Sequence, residues 1–169
     1  MSYLTKKEFE SSIDELYPRL HRAMTAYLYG TSLEPDDILQ ETFLKAIRNL
    51  HTFQGGASLY TWMYSIARNI CIDQFRKLKH EKKRDFASVE ELPITAEEKN
   101  NTEEINLLRK AIMSLPDDLR ELVIMKAIDE MGYRQISDIT GVNEQTLKSR
   151  MLKARKLLSI ELKKMGVRS

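Results

Sequence analysis

The sequence predicts an all-α protein made of two small helical domains joined by a flexible acidic linker. Apolar residues recur at helical spacing along most of the chain, and only six Gly and four Pro interrupt its 169 residues. Charge is unevenly divided. Residues 1–84 carry 13 basic and 10 acidic side chains, residues 85–104 carry one and seven, and residues 105–169 carry 13 and eight. We therefore expect domains at 1–84 and 104–169, with the linker at 85–103.

The N-terminal domain is predicted to be a three- or four-helix bundle. Helical periodicity runs from Phe9 to Leu28, and Pro18 marks a break or a new first turn within it. Pro35 then opens a helix that extends to Leu50, with two aspartates at its positive end. Its inward residues are expected to be Ile38, Phe43, Ala46, Ile47 and Leu50. A short connection leads to a long helix from about Ser58 to about Lys83.

This long helix has an aromatic first half and a basic second half. Residues 68–84 carry seven basic side chains against two acidic ones. Aromatic surface beside a cationic track suits single-stranded nucleic acid, in which every base offers a π-face. Trp62 shares helical spacing with Ile66 and Ile70, which favours a core position. Phe53 and Tyr60, beside the Gly55-Gly56 loop, are the better candidates for exposed contacts.

Two short helices are predicted to follow the linker. Asn101 and Glu104 form a capping-box-like start for a helix through Met113, and Pro116 starts another through Ile128. Their apolar positions would buttress the rest of a four-helix C-terminal domain: Leu108, Ile112, Leu119, Leu122, Val123 and Met125.

The stretch from Tyr133 to Leu158 is predicted to be a helix-turn-helix. Ile136 and Ile139 give the first helix an apolar side, Gly141 is its expected left-handed C-cap, and Asn143 is the expected N-cap of the second helix. From Val142 to Ser169 there are eight Lys or Arg against two Glu. The second helix buries a regular apolar stripe: Leu147, Met151, Ala154, Leu157 and Leu158.

A basic amphipathic helix is by itself usually a solvated face or a partner surface. Here the charge occurs together with a short first helix, a Gly turn and hydrogen-bonding side chains on the first turns of the second helix. In helix-turn-helix proteins such positions reach base edges while neighbouring cations hold phosphates. The combination favours DNA binding.

The remaining chemistry-bearing residues predict neither a metal nor a cofactor. The single Cys71 falls in an apolar helical pattern, and the three histidines, His21, His51 and His80, have no second ligand at metal spacing. No apolar run is long enough for a signal peptide or membrane span. We therefore expect a cytoplasmic protein.

Three segments resemble the extracytoplasmic-function group of bacterial RNA polymerase sigma factors. DDILQETFLKAIRNL (36–50) is similar to region 2.2 of that family, and FQGGASLYTWMYSIARNICIDQFRK (53–77) is similar to regions 2.3 and 2.4. LPDDLRELVIMKAIDEMGYRQISDITGVNEQTLKSRMLKARKLL (115–158) is similar to region 4. The resemblance implies a non-enzymatic promoter-specificity subunit whose two domains bind core RNA polymerase and promoter DNA.

The resemblance also implies partners for each domain. The helix that starts near Asp36 would dock on the β′ clamp coiled coil, the C-terminal domain would meet the β flap, and an anti-sigma factor would control the protein. The implied docking residues are Asp37, Gln40, Glu41 and Phe43. A simpler role remains for Asp36 and Asp37, which also stabilise the helix dipole by a few tenths to about 1 kcal/mol each.

Two sets of DNA contacts follow from the same resemblance. The implied minus-35 residues are Gln145, Thr146, Lys148, Ser149, Arg150, Leu152, Lys153 and Arg155. The implied minus-10 residues are Phe53, Gln54, Gly55, Gly56, Ala57, Ser58, Tyr60, Arg68, Asn69, Asp73, Arg76 and Lys77. In the family, one base of the minus-10 strand is flipped into a pocket of this loop. Gln54 and Gly56 stand where the family often has a basic and an acidic residue, so the resemblance does not predict the identity of that base.

Two other function classes remain open at this point. A stand-alone helix-turn-helix regulator would explain residues 133–158 but would leave the aromatic and basic N-terminal helix without a task. A nucleic-acid enzyme should show a carboxylate-metal cluster, an activated nucleophile or a phosphate loop. The GGAS segment at 55–58 lacks the Lys and the spacing of a P-loop.

Overall fold

A computed structural model describes residues 4–84 and 103–167. Within these ranges the chain forms seven α-helices and no strand, which confirms the all-α prediction. The helices are α1 (Lys6–Tyr27), α2 (Pro35–Arg48), α3 (Leu59–Arg84), α4 (Glu103–Met113), α5 (Asp117–Val123), α6 (Tyr133–Thr140) and α7 (Glu144–Lys164). They form two compact units, the first with α1 to α3 and the second with α4, α5, α7 and most of α6. Residues 85–102 of the linker expected at 85–103 lie outside the described residues, as does the expected cap at Asn101, and Glu103 is already the first residue of α4.

Helix α1 is continuous, so the expected break at Pro18 is wrong. Thr5 and Glu8 form a capping box at its start, in which the Thr5 N–H donates to the Glu8 carboxylate over 2.8 Å. Pro18 removes one backbone hydrogen bond, but it lies on the exposed side of the helix. Leu16 and Leu20, on either side of it, are both buried against the rest of the unit. Tertiary packing therefore holds the helix through the proline.

Helix α2 begins at Pro35 as predicted but ends earlier than expected. It stops at Arg48 and is followed by a short 3-10 turn at Leu50–Thr52. Ile38, Ala46 and Leu50 are buried, as predicted. Ile47 is 37% exposed, so its expected inward position is wrong.

Helix α3 packs against α1 and α2 and supplies the centre of the first core. Met63, Tyr64 and Ala67 are completely buried along its inner side. Cys71 is also completely buried, and its Sγ lies 4.0 Å from the Sδ of Met24 in α1. The prediction that Cys71 is a core residue is confirmed.

The helix expected from Pro116 to Ile128 changes from α-helical to π-helical hydrogen bonding halfway along. Helix α5 ends at Val123, and a π-helical turn at Ile124–Ile128 continues it. The Asp129 N–H closes this turn by donating to the Ile124 carbonyl over 3.1 Å. Glu130 follows with φ of +54°, which redirects the chain toward α6.

The second core forms where α4 and α5 pack against α7. All four expected apolar positions on α5 and the π turn are buried there: Leu119, Leu122, Val123 and Met125. Leu108 is 44% exposed, so its expected buttressing role is wrong. Ala111 is the fully buried residue of α4. A small side chain at that point lets the helix approach its neighbours closely.

Candidate nucleic-acid interface

The direction of α7 is fixed by the turn that precedes it. Gly141 ends α6 with φ of +73°, and its N–H donates to the Ser137 carbonyl over 2.8 Å. The Asn143 Oδ1 accepts from the Thr146 N–H over 2.8 Å at the start of α7. Both predicted caps are thus confirmed. The two interactions satisfy backbone groups that the helix ends leave unpaired.

Helix α7 has a buried side and a broad exposed side. Leu147, Met151 and Ala154 face the core, as predicted. Leu157 and Leu158 are only half-buried. Six of the eight predicted minus-35 residues are exposed, namely Gln145, Lys148, Ser149, Leu152, Lys153 and Arg155, and two are half-buried, namely Thr146 and Arg150. The structure therefore brings all eight together on one helix.

The middle of the exposed side combines different kinds of contact groups. Gln145, Ser149 and Leu152 follow one another at helical spacing, with Lys148 beside them. The Ser149 hydroxyl donates to the Thr146 carbonyl over 2.9 Å, which leaves its oxygen lone pairs free to accept. Leu152 is 67% exposed, more than any other exposed large apolar side chain among the described residues. This surface offers a donor, an acceptor and an apolar contact side by side.

The sequence prediction of minus-35 contacts did not include Lys156. It is exposed and lies one turn after Leu152 on the same side of α7. Its helical spacing from Ser149 and Leu152 was visible in the sequence and could have added it to the set.

Two of the cations on α7 have partners in other helices. The Arg150 guanidinium lies 3.6 Å from the Asp118 carboxylate in the first turn of α5. The Lys148 ammonium lies 5.9 Å from the centre of the Tyr133 ring at the start of α6. Sequence spacing gave no sign of either contact.

In the first unit, the loop between α2 and α3 presents most of its predicted minus-10 residues to solvent. Gln54, Gly55, Gly56 and Ser58 are exposed, and Ala57 is half-buried. Gly55 has φ of +71°, a conformation that L side chains rarely adopt. The Ser58 Oγ accepts from the Thr61 N–H over 3.1 Å and so caps α3.

Phe53 and Trp62 form an aromatic pair beside this loop. Their ring centres are 5.3 Å apart and both side chains are half-buried. Trp62 therefore belongs partly to the core and partly to the surface. The sequence predicted exposed contacts from Phe53 and Tyr60 and a core position for Trp62, whereas the aromatic pair beside the loop consists of Phe53 and Trp62.

Tyr60 is not exposed, so its expected surface role is wrong. Its side chain is only 6% exposed, and the Arg19 guanidinium of α1 covers its ring at 4.0 Å. The Tyr64 ring also lies close, with its centre 6.1 Å from that of Tyr60. Because these neighbours come from tertiary packing, proximity to the glycine loop did not predict them.

The remaining predicted minus-10 residues lie along α3. Asn69, Asp73, Arg76 and Lys77 are exposed, and Arg68 is half-buried. Asp73 and Arg76 are within 3.4 Å of each other, so part of the cationic charge is locally offset. The helical spacing of the four exposed residues places them on one side of α3.

Helix α2 presents a second surface, on which polar and apolar side chains occur together. Asp37 and Gln40 are exposed, and the half-buried Glu41 accepts from Lys45 in an ion pair of 2.8 Å. Phe43 is half-buried because its ring packs against Phe9 and Tyr17 of α1, with ring centres 6.2 and 6.1 Å away.

Leu44 was missed as a member of this surface. It is 50% exposed and shares the helical face of Asp37 and Gln40. It adds an apolar group to the exposed polar side chains of this face, and the fully buried centre of a protein interface is usually more apolar than its rim. The spacing of Leu44 from Asp37 was visible in the sequence.

In the part of the chain that the structure describes, no group of three or more His, Cys, Asp or Glu is arranged to hold a metal ion. No helix among the described residues is long and apolar enough to cross a membrane.

Two family models match the chain, one on each unit. Residues 13–81 match sigma-70 region 2, and residues 105–158 match sigma-70 region 4. The chain is also 32% identical to the ECF RNA polymerase sigma factor EcfG of Rhodopseudomonas palustris, over 82% of this chain and 76% of that protein. The chain belongs to the extracytoplasmic-function group of RNA polymerase sigma factors. Sigma factors are transcription initiation factors that act with core RNA polymerase on promoter DNA, and they are not enzymes.

Further relatives support this membership. The ECF sigma factor SigW of Bacillus subtilis is 29% identical, over 89% of this chain and 84% of that protein. The structure is similar to that of the sigma factor RpoE from Bartonella quintana, solved in complex with the anti-sigma factor NepR. That likeness has a TM-score of 0.77 at 26% identity, and it covers 93% of this chain and 98% of the RpoE chain.

Proposed function

We propose that this sigma factor divides promoter recognition between its two units. Residues 104–169 read the minus-35 duplex, residues 1–84 bind core polymerase and hold the melted minus-10 strand, and residues 85–103 connect them. One observation carries the first assignment. Four proposed base-reading residues are exposed on α7, next to further cations: Lys148, Ser149, Leu152 and Lys153. Lysine recognises guanine acceptors in the major groove, and a leucine can pack on a thymine methyl.

The minus-10 assignment is supported by the loop before α3. Gly55 and Gly56 are exposed, and a Cβ built at either position meets no atom within 4 Å, so backbone is open to a nucleotide there. The half-buried Phe53 and Trp62 supply stacking surface next to it. Extrusion of a base costs a few kcal/mol, which such stacking and a shaped loop offset. The exposed side of α3 then leads toward the upstream duplex: Asn69, Asp73, Arg76 and Lys77.

The polymerase contact is assigned to α2. Asp37, Gln40 and Glu41 provide polar contacts, and Leu44 provides the exposed apolar centre that docking surfaces usually contain. We assign this face to the β′ clamp coiled coil, and the C-terminal unit to the β flap. The half-buried Phe43 stabilises the position of this face, since its ring packs on α1.

Control by an anti-sigma factor in the cytoplasm completes the proposal. It is supported by the similar RpoE structure, which holds an anti-sigma factor. A matching partner for this chain should block binding of core polymerase. Purified chain mixed with that partner should then fail to support transcription from its promoters.

Run-off transcription with purified core polymerase tests the minus-35 assignment. Lys148→Ala and Lys153→Ala should each lower transcription from promoters that depend on a minus-35 element, while core binding stays unchanged. Lys163→Ala is the matched control, because Lys163 is an exposed lysine near the far end of the same helix. An equal loss of core binding in the Lys148 and Lys153 variants would reject the assignment.

A further inference from the structure

Two lysines from different parts of the second unit lie close to the ring of Tyr133. The Lys126 ammonium is 5.2 Å from the ring centre, and the Lys148 ammonium is 5.9 Å from it. Tyr133 is the first residue of α6 and is half-buried. Both distances are within the range at which a cation is attracted to an aromatic ring.

Lys126 is held in place by the backbone. It belongs to the π-helical turn, and its ammonium donates to the Met131 carbonyl over 3.0 Å. Its side chain is half-buried. Lys126 is therefore a positive charge that a backbone hydrogen bond holds near the Tyr133 ring.

Lys148 differs in that its side chain is exposed on the DNA-reading side of α7. A free lysine side chain has four rotatable bonds and loses considerable rotamer entropy when its ammonium is fixed by a base. Contact with the Tyr133 ring restricts that freedom before DNA arrives. The nearby positive charge of Lys126 disfavours movement of Lys148 across the ring toward the π turn.

We propose that Tyr133 is a positioning residue that orients Lys148 for contact with an acceptor edge, such as guanine O6 and N7, in the minus-35 duplex. The inference rests on the proposed minus-35 role of α7. Tyr133 acts through Lys148 and needs no contact of its own with a base. The ring carries the effect, so the hydroxyl is not required.

A double-mutant cycle measured with holoenzyme tests this coupling. Promoter affinity is compared for the natural chain, Tyr133→Leu, Lys148→Ala and the double variant. Tyr133→Leu should weaken binding about two- to fivefold when Lys148 is present, the range expected for a cation-aromatic contact at an exposed site. It should have almost no effect in the Lys148→Ala background. Tyr133→Phe should bind like the natural chain.

Three results would overturn the inference. Equal losses in both backgrounds would show that Tyr133 acts on the fold or on DNA independently of Lys148. A loss in Tyr133→Phe as large as in Tyr133→Leu would assign the effect to the hydroxyl. Unchanged affinity in Lys148→Ala would remove the proposed minus-35 contact and this inference with it.

A measurement on the full chain without DNA separates the inference from the proposed function. The side-chain methylene protons of Lys148 should show an upfield ring-current shift in the NMR spectrum, and this shift should disappear in Tyr133→Leu but persist in Tyr133→Phe. Shifts that are the same in all three proteins would contradict the contact, whatever the promoter assays give.

Discussion

The Arg150 guanidinium on α7 lies 3.6 Å from the Asp118 carboxylate on α5, so a cation of the helix proposed to read DNA is already paired within its own unit. The two side chains are 36% and 53% exposed. Such a pair contributes only about 0 to 1 kcal/mol to stability, because solvent screens it. Arg150 must turn away from Asp118 if it is to hold a phosphate with its full charge.

Asp118→Asn should therefore strengthen promoter binding by the holoenzyme. The substitution removes a competing carboxylate, and an Arg150 that gains a phosphate should steepen the salt dependence by about 0.9 in log-log slope. Asp117→Asn is the matched control, since Asp117 is 96% exposed and pairs with Arg120 instead. A weaker affinity or an unchanged salt slope in Asp118→Asn would reject a phosphate role for Arg150.

Leu44→Ala should lower the affinity for core polymerase while leaving minus-35 duplex binding intact. Its side chain is half exposed, so truncation removes docking surface and leaves only a small cavity in the fold. Asp37→Arg should act in the same direction. Leu108→Ala removes a similarly exposed leucine from the second unit and should leave core binding unchanged. Equal effects of the two leucine substitutions would contradict an α2 docking surface.

Substitutions of Phe53 and Tyr60 should affect different properties, promoter melting for Phe53 and stability for Tyr60. Tyr60→Ala should lower the free energy of unfolding by about 3 kcal/mol, because the ring is buried and is in contact with Arg19 and Tyr64. Phe53→Ala should cost less stability, yet it should reduce the permanganate reactivity of melted minus-10 thymines in the holoenzyme complex. Normal thymine reactivity with Phe53→Ala would exclude a stacking role for that ring.

Gly141→Ala should lower the free energy of unfolding by about 1 kcal/mol, since Ala is strained at a φ of +73°. No atom lies within 4 Å of the added Cβ, so the cost comes from the backbone alone. Gly132→Ala is the control, because Gly132 has φ of −71° and meets only the Gln135 side chain at 3.7 Å. Urea unfolding of the full chain measures both. Equal stability of the two variants would contradict the role of Gly141 as a left-handed cap.

Features with a local cause were predictable from the sequence. Pro35 opens α2, Gly141 ends α6 and Asn143 caps α7, because each residue acts on backbone groups within a few positions of itself. The apolar stripe of α7 was predictable for the same reason, at least for its first three turns. These features placed the eight minus-35 candidates on one helix.

Features caused by distant neighbours were not predictable. Tyr60 is buried because Arg19 reaches it from another helix, and Pro18 stays helical because packing on both sides of it outweighs the lost hydrogen bond. The contacts of Lys148 and Arg150 with Tyr133 and Asp118 likewise depend on how helices meet. Helical spacing identifies which residues share a face but does not identify what covers it.

Site-directed cleavage of promoter DNA tests the division of labour most directly. Because Cys71 is buried, an iron chelate can be attached to a single cysteine introduced at an exposed position, with Lys156→Cys on α7 and His51→Cys before the minus-10 loop. In the holoenzyme complex, the probe on α7 should cut at the minus-35 element, and the probe at position 51 should cut near the minus-10 element. Cleavage by both probes at the same element, or a probe on α7 that cuts nowhere near minus-35, would contradict recognition divided between the two units.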